Sequence, residues 1–210
     1  MTDSAKPNNS TVDERIENTL AGLMFFGWAV MRFTGCEAID RWTVPQLVPA
    51  VIHVVVGILF LTRHSSLLRA DTLTLAYCLP SFIAGGLAMK LAPVSHLWSM
   101  PAQAVFVIGG LGTTLGLVWL GKSFAVFPAL RTIVTSGPFK LIRHPIYFSE
   151  LLMIVGCCLA MTSTWRWPIL AFAIATIVLR IVWEERVLSN SQQYLDFCKS
   201  VRWRLIPGIW

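Results

Sequence analysis

The chain has 210 residues, 55% of them hydrophobic and only 13% charged, with a mean hydropathy of +0.65. Soluble domains of this size carry about a quarter charged residues, so the composition excludes an ordinary soluble enzyme and points to an integral membrane protein. The net charge of +6 does not indicate a nucleic-acid partner, because the basic residues sit at the ends of apolar runs and form no stripe with interleaved aromatics.

Residues 1–17 are polar and carry Asp13, Glu14 and Glu17. They lack the basic start and small-residue cleavage site of a signal peptide, and are expected to be a short disordered cytoplasmic tail leading into a retained helix. Six apolar segments follow, at 18–34, 44–62, 72–92, 99–120, 147–164 and 167–186. A helix needs about twenty residues to cross a bilayer. The first segment is short and runs straight into Arg32, so it is either a span or a tilted or interfacial helix. The fold expected is therefore all-α: a polytopic membrane bundle of five to six transmembrane helices.

With six spans, both termini share a side with the loops after the second and fourth segments. Only Arg32, Arg41, Lys90 and Arg166 fall on the opposite side, and Arg180 lies inside the last span. The other basic residues place both termini and the loop at 121–146 in the cytoplasm. An integral location such as a bacterial inner membrane is expected. That loop is long for a bundle connection, which favours a functional role. The Gly112/Gly116 spacing suits close helix packing, and the chain is expected to be a monomer or a weak homodimer. The stretch after residue 188 is aromatic and basic, as in an interfacial C-terminal helix. Three parts follow: the tail at 1–17, N-terminal helices at 18–120, and the long loop, last two spans and aromatic tail at 121–210.

Five cysteines (Cys36, Cys78, Cys157, Cys158 and Cys198) form no CxxC pair and no ligand spacing with the four histidines, so no metal site is expected. Ionisable residues inside membrane segments are functional candidates by default. Arg32 and Lys90 stand near segment ends, where their head groups snorkel to the interface. His53 stands alone in mid-segment and is expected to hydrogen-bond between helices. In RIVWEER, Arg180 and Glu184 fall on one helical face and are expected to pair. Glu185 points about 100° away and stays free for another partner. In RHPIYFSE, Pro145 suits a first helical turn, so helix N–H groups together with Arg143 and His144 make an anion-attracting place. Tyr147 and Glu150 follow on the first turn.

GPFKLIRHPIYFS, then RIVWEER, then QYLDFCKSVRWRLIPGIW resemble the isoprenylcysteine carboxyl methyltransferase and phospholipid methyltransferase families of membrane enzymes. The elements that carry the resemblance are Arg143, His144, Pro145 and Tyr147; then Arg180, Glu184 and Glu185; then Tyr194, Phe197 and Pro207. It covers residues 121–210. Ser149 stands where those families usually have glycine, and Phe197 where a tyrosine is common.

The resemblance implies an enzyme with S-adenosyl-L-methionine as methyl donor, bound at the cytoplasmic ends of the last two spans. Arg143, His144, Pro145, Tyr147, Ser149, Glu184 and Glu185 are then the cofactor-binding candidates. Arg180, Glu184 and Arg204 are the catalytic ones. Arg180 or Arg204 would hold an anionic acceptor in line, where positioning supplies most of the rate. An amine acceptor would need a carboxylate base, Glu184 or Glu150. The substrate implied is a lipophilic small molecule or a lipid, with carboxyl O-methylation of the isoprenylcysteine type and lipid methylation both open. A sterol-reductase-like NADPH-dependent enzyme also ends in an EER-type motif, but usually has Asn in place of Pro145 and a longer chain. A small transporter subunit would place its charges at mid-membrane in several helices.

Overall fold

The computed structural model describes residues 9–34, 43–63, 66–69 and 71–210. Lys6, Cys36 and Arg41 lie outside the described residues, as does the first part of the expected tail. Seven α-helices follow in order: α1 (Asn9–Thr34), α2 (Val44–Thr62), α3 (Thr72–Leu91), α4 (Met100–Leu120), α5 (Pro145–Ala160), α6 (Arg166–Leu188) and α7 (Gln192–Ser200). Helix α1 begins at Asn9 and so reaches into the stretch read as a tail.

Four helices, α2, α3, α4 and α6, are long and apolar enough to cross a membrane, against the five to six expected. Helix α1 has the length, with 26 residues, but Asp13, Glu14, Arg15 and Glu17 crowd its first turns. Helix α5 is apolar but has only 16 residues, about 24 Å at 1.5 Å per residue. Proline at its first turn fixes where it starts, and an extended Met161 ends it. The outward faces of the long helices carry exposed Ile58, Leu61, Ile83, Leu87, Ile108, Leu111 and Leu115. Water would penalise such a surface, whereas hydrocarbon does not.

Helix starts follow from local chemistry. The Asp71 carboxylate accepts from Thr74 N at 2.9 Å and caps α3. Prolines sit in the first turns of α2, α4 and α5, where a missing N–H costs nothing. Small residues then set the packing. A Cβ on Gly22 of α1 would come 3.0 Å from Leu61 of α2. Between α4 and α5 the approach is closer. A Cβ on Gly109 would meet Ser149 O at 2.6 Å and Met153 N at 2.7 Å, and one on Gly116 would meet Ile146 Cγ1 at 2.6 Å. The Gly112/Gly116 spacing therefore serves α5 of the same chain. The main core lies where α3, α4, α5 and α6 meet, around Ala84, Ala88, Phe106, Cys157, Ile177 and Ile181.

A two-residue strand pair, β1 (Leu68–Arg69) and β2 (Ala129–Leu130), runs antiparallel with Leu68 opposite Leu130. It ties the α2–α3 connection to the loop after α4. The start of α1, the end of α2, this loop, the start of α5 and the end of α6 all gather at one end of the bundle. That end holds the polar chemistry.

Gly109→Ala is expected to lower the melting temperature in detergent, because its Cβ meets backbone on α5 and overpacking costs about 1–3 kcal/mol. Gly85→Ala, where a Cβ meets nothing within 4 Å, is the control and should melt at or above wild type. Thermal unfolding followed by circular dichroism compares the two.

Candidate functional site: two linked polar clusters on one cavity

The backbone just before α5 is held by the tail. Arg143 N donates to Trp203 O and His144 N to Arg204 O, each at 2.9 Å. The tail is itself folded back, with Trp210 O accepting from the amides of Arg204, Leu205 and Ile206. Helix α7 delivers it there by burying Tyr194 and Phe197 against Phe139 and Val201. Phe197 is thus a packing residue, which needs no hydroxyl.

Glu185 is the centre of the first cluster. Its Oε1 accepts from Arg143 Nη1 at 2.9 Å and lies 3.2 Å from His144 Nε2. Its Oε2 accepts from Arg204 Nε at 2.8 Å. The carboxylate expected to be free therefore has three basic partners. Arg143 and His144, expected to meet a cofactor carboxylate, meet an internal one first, and Arg204 joins them. Arg143 Nη2 also donates to Arg202 O at 3.0 Å. Burial works against the Arg143 charge, but Glu185, Cys198 and Tyr194 together outweigh it and hold the guanidinium above its ordinary pKa. Burial, reinforced by Glu185, pushes the Tyr194 phenol well above its usual range.

The second cluster lies deeper. Tyr147 Oη donates to Glu184 Oε2. Arg180, expected to pair with Glu184, turns elsewhere: Nη1 donates to Ser81 Oγ at 3.2 Å and Nη2 to Val126 O at 2.7 Å. Its carboxylate contact is Glu150 Oε2 at 3.9 Å. The guanidinium also lies 4.2 Å from the Phe82 ring centre and 4.6 Å from that of Tyr147, cation–π contacts that suit a desolvated arginine. Adjacent Glu184 and Glu185 thus serve different clusters, because consecutive helical residues diverge by about 100°. The clusters join through His144, whose ring stacks on Tyr147 at 5.5 Å with 14° between planes.

Pro145 and Ser149 face the other way. Ser149 Oγ donates to Pro145 O at 2.9 Å, and its side chain occupies the space left by the missing Cβ of Gly112. Neither residue borders the cavity, and nor do Glu185 and Arg204.

The cavity is about 1050 Å³. Its polar end is formed by Arg143, His144, Tyr147, Glu150, Arg180, Glu184 and Tyr194. From there it runs between α1, α2 and α3, lined by Phe25, Trp28, Ile52, His53, Val56, Phe60, Leu79 and Phe82. A third polar group closes its edge. Glu14 of α1 accepts from Arg131 Nη2 at 3.1 Å and from Ser66 N at 3.2 Å, and Asn18 Oδ1 accepts from Arg63. Sequence reasoning missed this group, since its members lie 52 and 117 positions apart and match no motif. The buried Glu14, amid a polar run, gave no local signal.

Membrane-crossing helices with buried ionic clusters at one end, opening on an apolar chamber, define an integral membrane protein. A sequence model described as phospholipid methyltransferase matches residues 82–193, and the chain belongs to that family of methyltransferases. The match begins well before residue 121, where the motif resemblance starts, and stops short of the tail that holds Glu185 in place. No curated protein matches the chain.

Glu185→Ala leaves Arg143, His144 and Arg204 facing one another without a counter-charge. Removing one partner of a buried ionic set costs about 3–5 kcal/mol, so the variant should melt far below wild type. Arg204→Ala, which takes away one of three basic partners at a partly exposed position, should cost clearly less. Parallel denaturation in the same detergent gives the order.

Proposed function

We propose that this protein transfers a methyl group from S-adenosylmethionine to a lipophilic acceptor, and that the accepting atom is a lipid amine. The observation that carries the amine is the contrast between Glu150 and Arg180. The Glu150 side chain is 34% accessible, opens on the cavity, and has only the 3.9 Å approach of Arg180. Arg180 is 4% accessible and already bonded to Ser81 and Val126. An anionic acceptor would need that guanidinium turned toward it. A protonated amine needs a nearby carboxylate, and Glu150 is one.

The residues at the polar end fit the cofactor. Among the described residues the Tyr194 hydroxyl and Arg143 Nε make no hydrogen bond of good geometry, the two side chains lying against each other, and both residues line the cavity, so donors remain for a carboxylate or a ribose. Arg143, His144, Tyr147, Glu184 and Tyr194 would hold it. Glu185 and Arg204 act from behind, by fixing Arg143 and His144. Bound there, S-adenosylmethionine supplies an electrophilic methyl group on a sulfonium.

Glu150 takes the proton from the acceptor ammonium, which frees the nitrogen lone pair to attack. Tyr147 and Arg180 form the wall beside it, and the Phe82 and Val126 side of the chamber keeps water out. The basic residues gathered at this end favour the cytoplasmic side for it. A second reading, carboxyl O-methylation of the isoprenylcysteine type, is favoured by one observation: Arg180 Nε is buried without a hydrogen-bond partner among the described residues.

Calorimetry in detergent should give saturable binding of S-adenosylmethionine, lost in His144→Ala; no heat from the wild type would refute the cofactor. With methyl-labelled cofactor and a lipid extract, label that survives mild base marks an N-methyl product. Label released as methanol would mark the carboxyl ester and overturn the amine. Glu150→Gln should bind the cofactor within twofold of wild type but lose about 10²-fold or more in rate, the usual contribution of a positioned base.

A further inference from the structure

His53 lies halfway along α2, nine residues before the helix ends at Thr62, so about 13 Å in from the polar end. Sequence reasoning expects it to hydrogen-bond between helices. The imidazole makes no such bond among the described residues, and Nδ1 is buried without a partner. The ring instead stands beside Phe25, 5.8 Å between centres, and Trp28, 5.7 Å, both on α1. Its close neighbours on its own helix, Ile52, Val56 and Phe60, are apolar, and the Arg32 guanidinium on α1 acts on it through space without bonding to it. An unpartnered polar group in such a place costs about 1–3 kcal/mol and calls for a specific reason. Packing offers none, since a phenylalanine would meet the same rings without the penalty.

The cavity offers one. His53 lines the same chamber whose polar end carries Glu150 and Tyr147. At about 1050 Å³ the chamber exceeds the roughly 300–1,000 Å³ that one small ligand fills, so it has room for an acceptor beside the cofactor. We propose that His53 is a specificity-determining contact for the acceptor, pairing with a second polar group, a hydroxyl or carbonyl oxygen, set into its apolar body away from the methylated atom. The acceptor is then an amphiphile with two polar points: a nucleophilic head at Glu150 and an internal oxygen at His53. A plain hydrocarbon chain would leave the imidazole unsatisfied. Sites built to hydrogen-bond one oxygen discriminate strongly against analogues that lack it. This proposal rests on the methyl-transfer reading.

The experiment uses the full chain in detergent, methyl-labelled S-adenosylmethionine and a total lipid extract as probe. Wild type, His53→Phe and His53→Gln are compared for cofactor binding by calorimetry and for labelled product over a range of extract concentrations. Phenylalanine keeps the ring packing and removes both nitrogens; glutamine keeps hydrogen-bonding capacity. The expected result is unchanged cofactor affinity in both variants. His53→Phe should need at least tenfold more extract for half-maximal rate, with the maximal rate within threefold, and His53→Gln should recover part of the loss. Labelling by His53→Phe at the wild-type concentration dependence overturns the proposal. So does a fall in maximal rate alone, which would mark a structural role. Failure of the wild type to bind cofactor would instead strike the methyl-transfer reading. A second readout is independent of turnover. In ¹⁵N-histidine spectra the His53 resonance, assigned by its loss in His53→Gln, should move when extract is added. A stationary signal counts against the contact.

Discussion

The seat of the tail on the last two helices depends on a single carboxylate, Glu185, that ties two other stretches of chain to α6. Arg143 and His144 precede α5, Arg204 belongs to the tail, and Glu185 itself ends α6. Holding the largely buried Arg143 guanidinium beside His144 and the partly exposed Arg204 without a counter-charge would be costly. With it, their positions are set by hydrogen bonds at 2.8–3.2 Å. The tail is thereby held over the start of α5, so that backbone amides of residues 143 and 144 find partners on residues 203 and 204.

The deeper cluster depends on the first through one aromatic contact. His144 is held by Glu185 and stacks on Tyr147, whose hydroxyl engages Glu184 and whose face receives Arg180. A charge as deep as Arg180 survives in an apolar bundle because Ser81, Val126 O, Glu150 and two rings surround it. These partners come from α3, the long loop and α5, while Arg180 itself stands on α6. The arginine therefore joins the loop and α3 to the last two helices as much as it serves any chemistry.

The fold was largely legible in sequence, because apolar runs and first-turn prolines mark helices directly. The boundaries of α2, α3 and α4 lie within a residue or two of the apolar segments. Among the described residues four helices have the length and apolarity of a span against the five to six expected, because Glu14 and its neighbours crowd the start of α1 and α5 stops at Ala160, short of residue 164. Motif spacing brought the right residues to one end, but not their pairing. Helical geometry said that Arg180 and Glu184 share a face; it could not say that Ser81 and Val126 would take the guanidinium and Tyr147 the carboxylate. Glu185 was read as free because its three partners arrive from other segments. Glu14, paired with Arg131 across 117 positions, was invisible for the same reason. His53 drew notice as a lone histidine, yet whether it had a partner depends on what α1 places beside it.

The contact between Ser149 and Gly112 has a consequence for how such a chain can vary. Where α4 and α5 touch, the hydroxymethyl group on one helix fills the hollow left by the bare α-carbon on the other. What the interface fixes there is a combined volume, not the identity of either residue. A glycine in place of Ser149 would make room for an alanine at 112, and the two helices could keep their spacing. The serine at this position and the glycine usual in related families are then alternative ways of meeting one steric sum, to be read jointly with the residue they face.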